Sequence, residues 1–117
     1  MARKKSQTMK PSGSVSRQHL DAMIEKATVD CNDELEQISG LFTMLEENLA
    51  LPFNTALLGV DVTVEEIDLN DAEEIVAICK RGSERQRVSL LDLPLPEPKP
   101  AGTEWIEAYR RWAKGRL

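Results

Sequence analysis

Histidine and aromatic residues are scarce in this chain of 117 residues. It contains one histidine, His19, together with two tryptophans, two phenylalanines and one tyrosine. The sequence also lacks the GxSxG, Walker, GxGxxG and HExxH patterns, which place a nucleophile, a phosphate, a dinucleotide or a catalytic zinc. We therefore expect a protein that is not an enzyme.

Cysteine and long apolar runs are scarce as well. Cys31 and Cys79 are far apart and form no CxxC pair, which favours reduced thiols over a zinc site or a disulfide. No stretch approaches the roughly 18 apolar residues of a membrane span, and no apolar signal-peptide run follows the basic first residues. We therefore expect a cytoplasmic protein with no membrane partner.

Charge is divided unevenly along the chain, although the net charge is only -5. Residues 1–17 carry five basic residues and no acid, whereas residues 21–74 carry fifteen acids and one base, Lys26, for a net charge of -14. Like charges at this density repel one another, so this acidic segment needs extensive solvation or a bound cation. It also makes nucleic acid an unlikely partner on electrostatic grounds.

Residues 1–15 have almost no large apolar side chain and are predicted to form a disordered basic tail before one α+β domain over residues 16–117. Two segments of helical spacing follow. The first begins at an N-cap, Ser16, and its apolar residues are Leu20, Met23, Ile24 and Ala27. The second begins at Asp33, which forms an acidic capping box with Glu36. It ends before Pro52, and its inner face is predicted to be Leu35, Ile38, Leu41, Phe42, Leu45 and Leu49.

After Pro52 the pattern changes from helical to extended. Four stretches rich in Val, Ile and Leu, separated by turn signals, lie at residues 53–58, 60–69, 74–80 and 87–93. The short connections favour an antiparallel meander with a bulge near Glu66, where the alternation of apolar and polar residues fails. We expect a small antiparallel sheet or partial barrel of four or five strands.

The proline-rich stretch 93–100 is predicted to be an extended spacer, in preference to a ligand for a proline-binding domain. Thr103 is then predicted to cap a last helix with one apolar face, formed by Trp105, Ile106, Tyr109 and Trp112. The predicted fold class is therefore α+β, with an N-terminal helical hairpin, the small sheet and a C-terminal helix packed on that sheet.

Oxygen-bearing side chains are concentrated between the first two predicted helices. Ca²⁺ takes six to eight oxygen ligands, and residues 30–36 place such side chains at alternate positions, as in the first half of an EF-hand loop. Leu35 and Leu41 replace the glycine and the last glutamate of that motif, so further ligands must come from elsewhere. The candidate ligands are Asp30, Asn32, Asp33, Glu34 and Glu36, with contributions from Glu46 and Glu47. A weaker second site is predicted at residues 68–74.

Three stretches of the sequence carry a family resemblance. They are ATVDCNDELEQ at residues 27–37, GLFTMLEENLALPF at residues 40–53 and EWIEAYRRW at residues 104–112. Together they resemble the cyanobacterial calcium-binding protein family of the CcbP type, over about residues 20–112. The resemblance implies a bacterial, cytoplasmic calcium binder or buffer.

Reversible Ca²⁺ binding, as a buffer or sensor, is thus the function that the sequence predicts. The alternative is a metal-independent interaction module whose acidic face meets a basic protein partner.

Overall fold

The computed structural model of the protein describes residues 15–115. Its elements are α1 (Arg17–Ala27), α2 (Glu34–Asn48), β1 (Phe53–Leu57), β2 (Val60–Leu69), β3 (Ile75–Arg81), β4 (Glu84–Ser89) and α3 (Glu104–Lys114). The predicted α+β class and the order of helices and strands are confirmed. The tail predicted for residues 1–15 lies outside the described residues except for Val15, which packs against the core. None of the helices within residues 15–115 is long and apolar enough to cross a membrane.

Helices α1 and α2 begin where the sequence predicts and pack closely against each other. The hydroxyl oxygen of Ser16 accepts a hydrogen bond from the backbone N–H of His19 at 3.1 Å, which caps α1. At Gly40 of α2, a Cβ atom would overlap the backbone carbonyl group of Ala27 at the end of α1. Only glycine therefore allows the two helices to approach this closely at position 40.

The buried face of α2 is shorter than predicted. Ile38, Leu41 and Leu45 are buried within the helix, and Leu49 is buried directly after it. Leu35 was predicted to join them, but 52% of its surface is exposed. It lies in the first turn of α2, at the edge of the core, so helical periodicity alone does not bury it.

The four strands form one antiparallel sheet in the order β1-β2-β3-β4. The predicted bulge is present, since the register of β2 against β3 shifts between Val64 and Glu66. The fourth strand was predicted at residues 87–93 and is in fact Glu84–Ser89. Gly82, with a φ of 61°, allows a two-residue turn, so that Arg81 pairs directly with Glu84. The apolar residues assigned to the end of this strand, Leu90 and Leu93, are buried after it.

The two faces of the sheet differ in character. One face joins the helices in a single core that includes Phe53, Val64, Ile75 and Ala77. The other face is crossed by ion pairs that join neighbouring strands. Glu65 lies 3.8 Å from Lys80 and 3.1 Å from Arg85, and Asp68 lies 3.4 Å from Arg87.

The proline-rich connector is attached to both the sheet and the last helix. Thr55 in β1 donates a hydrogen bond from its hydroxyl to the carbonyl oxygen of Pro94 at 2.7 Å. The guanidinium of Arg110 donates to the carbonyl oxygens of Leu90, at 2.9 Å, and of Leu93. These bonds fix the path of the chain from β4 to α3.

Helix α3 contacts both the sheet and α2. The hydroxyl oxygen of Tyr109 accepts a hydrogen bond from the backbone N–H of Ile75 at 3.2 Å, and the indole N–H of Trp112 donates to Gln37 at 2.8 Å. Thr103 occupies the N-cap position as predicted. Its side chain does not cap the helix, however, because its hydroxyl donates instead to the carbonyl oxygen of Pro100 at 3.0 Å.

Candidate functional site

A tight loop joins α1 to α2 and carries the first predicted ligands. The backbone N–H of Thr28 ends α1 by donating to the carbonyl oxygen of Ile24 at 2.9 Å, and the N–H of Cys31 donates to the carbonyl oxygen of Thr28 at 3.0 Å. Asp30, between them, has a φ of 63° in the left-handed region, which aspartate tolerates better than most residues. Its carboxylate is exposed to solvent.

Two of the predicted ligands hold the N-terminus of α2. A carboxylate oxygen of Asp33 accepts a hydrogen bond from the backbone N–H of Glu36 at 2.9 Å. The carboxylate of Glu36 reaches back and accepts from the N–H of Asn32 at 2.6 Å. This is the acidic capping box predicted from the sequence, except that the Glu36 carboxylate accepts from the N–H of Asn32 and not from that of Asp33. Asp33 and Glu36 therefore already have structural partners.

The turn between β2 and β3 lies beside this loop. The backbone N–H of Glu74 donates to the side-chain oxygen of Asn70 at 2.9 Å, and the N–H of Asn70 donates to the carbonyl oxygen of Glu74 at 3.0 Å. A small crevice lined by Leu35 and Ser39 of α2 and by Leu69 and Glu73 joins the two segments. Glu73 of the weaker second site therefore lies near Leu35, which stands among the candidate ligands of the first.

We call residues 30–36 and 70–74 together the acidic end. They contain seven acidic residues and no basic one. Asp68, which directly precedes this turn, is paired with Arg87. Within residues 15–115, no lysine or arginine forms an ion pair with Asp30, Asp33 or Glu36. The acidic end therefore carries a net negative charge that attracts cations, although Arg87 borders it beside Asp71.

Glu46 and Glu47 lie elsewhere on the molecule. They belong to the last turn of α2. Glu46 lies ten positions after Glu36 in the helix, which corresponds to a rise of about 15 Å along the helix axis. Ligands of one calcium ion lie within about 2.6 Å of it. A cation held by Glu36 is therefore beyond the reach of Glu46 and Glu47, and these two residues do not belong to the acidic end.

The donor chemistry at the acidic end suits a hard cation, but no ready-made cage is present. Carboxylate and amide oxygens are the ligands that Ca²⁺ prefers. Among residues 15–115, however, no group of three or more histidine, cysteine, aspartate or glutamate side chains converges closely enough to hold a metal ion. Coordination would therefore require rotation of exposed side chains such as Asp30 and Glu34.

Sequence reasoning missed the apolar residues that accompany the charge. Val29 and Leu35 are 66% and 52% exposed, and both flank carboxylates of the acidic end. It also missed an open groove of about 660 Å³ at the opposite end of the sheet, next to the turn at Leu58 and Gly59. A leucine inside a two-residue turn was the available signal, because turns of this kind favour asparagine and glycine.

Partly buried Glu107 and buried Cys79 are titratable groups outside the acidic end. Burial raises the pKa of Glu107 in α3, although the nearby positive charges of Lys99 and Arg110 oppose the shift. One carboxylate oxygen of Glu107 is buried without a hydrogen-bond partner. Burial likewise raises the pKa of the Cys79 thiol in β3. Cys79 and Cys31 are both free thiols.

Comparisons of the chain with protein-family models, with curated proteins and with solved structures found no match. The resemblance to the cyanobacterial calcium-binding family therefore stays a prediction from the sequence.

Proposed function

We propose that the protein is a non-enzymatic calcium binder and that its acidic end holds the ion. The observation that supports this most is the concentration of seven acidic residues in segments 30–36 and 70–74, which contain no basic residue and approach each other where Leu35 and Glu73 line one crevice. A divalent cation relieves this repulsion at the same time as it gains oxygen ligands.

Asp30 is the proposed principal ligand, because it is exposed and takes no part in the bonds that cap α2. Glu34 is also exposed and supplies a second carboxylate close to it in the sequence. Asn32, Asp33 and Glu36 add neighbouring oxygens, and Glu73 of the turn lines the crevice beside Leu35. Exposed side chains change rotamer within nanoseconds, so the ligands can converge on an ion while the backbone keeps its conformation.

The test is a calcium titration of thermal stability with two charge-matched variants. Asp30→Asn with Glu34→Gln removes two charges from the acidic end, and asparagine keeps the left-handed conformation at position 30. Glu46→Gln with Glu47→Gln removes two charges from the far end of α2. Free calcium at about 100 times the dissociation constant adds roughly 2.7 kcal/mol of stability, or a rise of about 10 °C in Tm.

We expect wild type and the Glu46/Glu47 variant to show this rise and the Asp30/Glu34 variant to lose most of it. Magnesium should act more weakly, because it requires a small octahedral site and releases water reluctantly. The proposal is wrong if sodium chloride of equal ionic strength produces the same rise. It is also wrong if both variants lose the effect equally, since that result would indicate a diffuse ion atmosphere.

The exposure of Val29 and Leu35 favours a second candidate, a metal-independent interaction module. Apolar residues surrounded by carboxylates fit a partner helix with apolar and lysine-rich faces. A synthetic amphipathic, lysine-rich helix can serve as the probe. If the protein is such a module, the synthetic helix binds to it even when a chelator removes calcium. Leu35→Ser then weakens binding of the helix more than the double substitution Asp30→Asn with Glu34→Gln does. Equal loss with both variants would contradict a defined apolar contact.

A further inference from the structure

The end of the sheet opposite the acidic end carries an open apolar groove. Its floor is formed by Leu57, Val60, Val62 and Cys79, on the same face of the sheet that forms the core. Ile75 and Ala77 on that face of β3 are completely buried, whereas Val60 and Val62 are only half-buried. The core face of the sheet therefore extends past its cover and leaves an apolar surface available for contact.

Leu58 stands at the edge of this groove in an unfavourable state. Its side chain is fully exposed, and its φ of 50° lies in the left-handed region, which disfavours leucine. Asparagine or glycine at this turn position would relieve the strain and remove an apolar side chain from water. The stability of the single chain therefore does not account for a leucine here, whereas burial of Leu58 against another molecule does.

The rim of the groove has charges of both signs. Arg81 ends β3, and Glu84, which begins β4, is its direct partner across the turn. Even so, neither residue forms an ion pair with any part of the described chain, residues 15–115. A two-fold axis that brings two grooves together can place Arg81 of each copy opposite Glu84 of the other. The rim is therefore complementary to itself, as an isologous contact requires.

We propose that this groove binds a second copy of the chain and that each copy inserts its Leu58 side chain into the groove of the other. In such a dimer the Leu58 side chain of each copy fills the apolar groove of the other, and two Arg81–Glu84 pairs flank the contact. The contact is small, so association is weak and is expected at high micromolar concentration. It is also independent of calcium, because Cys79, the first groove residue along β3, lies five residues after Glu74 of the acidic end, a rise of about 16 Å.

Sedimentation equilibrium of the full chain, from about 10 μM to about 1 mM, tests the proposal. We expect wild type to dimerise within this range. Leu58→Asn should weaken association at least about tenfold while leaving Tm unchanged or higher, because asparagine suits the turn. A wild type that remains monomeric at about 1 mM overturns the proposal, and so does unchanged dimerisation of Leu58→Asn.

The rim charges allow a reciprocity test. Arg81→Glu and Glu84→Arg should each weaken self-association about tenfold, since each places like charges opposite each other across the two-fold axis. An equimolar mixture of the two variants should associate again, because every pair across the interface then has opposite signs. Failure of the mixture to associate, with both variants folded by circular dichroism, shows that the charges do not meet across a two-fold axis and overturns the proposal.

Discussion

Substitution of Gly40 by alanine should destabilise the protein, although it improves an isolated helix. Alanine is favoured over glycine within a helix by about 1 kcal/mol. Here the added Cβ would overlap the carbonyl oxygen of Ala27 and lie 3.2 Å from its carbonyl carbon. Both atoms are backbone, so no side chain can rotate away, and the last turn of α1 must move.

The size of the effect follows from the two opposing contributions. Overpacking typically costs about 1–3 kcal/mol, and this case belongs at or above the upper end because a shift of α1 also disturbs the packing of its core residues Leu20 and Met23. After subtraction of the gain in propensity, we expect a net loss of about 2 kcal/mol and a fall of about 10 °C in Tm.

Urea denaturation followed by circular dichroism measures this loss, and Ser39→Ala is the matched control. Ser39 is the exposed neighbour of Gly40 in the same helix, so alanine there should gain a few tenths of a kcal/mol from propensity alone. The two adjacent substitutions should therefore have opposite signs. A Gly40→Ala variant as stable as wild type would refute the close contact between α1 and α2.

Three further predictions concern buried polar groups. Tyr109→Phe should cost about 1–3 kcal/mol in chemical denaturation, because the N–H of Ile75 loses its acceptor; a loss below about 0.5 kcal/mol would contradict this contact. Burial raises the pKa of Glu107, so the stability that its protonated form contributes is fully present in acid and is lost as pH rises through the folded-state value. Glu107→Gln should therefore gain stability over wild type in urea titrations as pH rises above about 4, whereas a difference that does not vary with pH would argue against this ionisation. An aromatic disulfide reagent should label half-exposed Cys31 at least about 100-fold faster than Cys79, which is 2% exposed, and equal rates would show that β3 opens readily.

Local signals in the sequence identified most of the fold. Ser16, Asp33 and the periodicity of Leu41 and Leu45 define the first two helices because caps and apolar spacing act within a few residues. Residues 60–69 were predicted with their observed bounds and bulge. These features depend on short-range geometry, which a single sequence contains.

The errors concern places where distant segments decide the outcome. The position of β4 depends on the turn at Gly82, and the apolar Leu90 and Leu93 resemble strand residues although they fill the core after it. Leu35 follows the helical period yet lies at the edge of the core. For the candidate site, the sequence could not show that Glu73 lies near Leu35 across a crevice, although the helical rise already separates Glu46 from Glu36.

In the capping box at the start of α2, a backbone N–H group and a bound cation would compete for the same carboxylate oxygen. An ion that takes a carboxylate oxygen of Asp33 away from the N–H of Glu36 removes a cap worth about 1 kcal/mol, which lowers its affinity about fivefold. Ligation through Asp30, whose side chain takes no part in the capping box, avoids this cost. The first turn of α2 would therefore loosen only when the acidic end supplies too few other oxygens, and amide exchange at Glu36 with and without calcium would report which carboxylates the ion had taken.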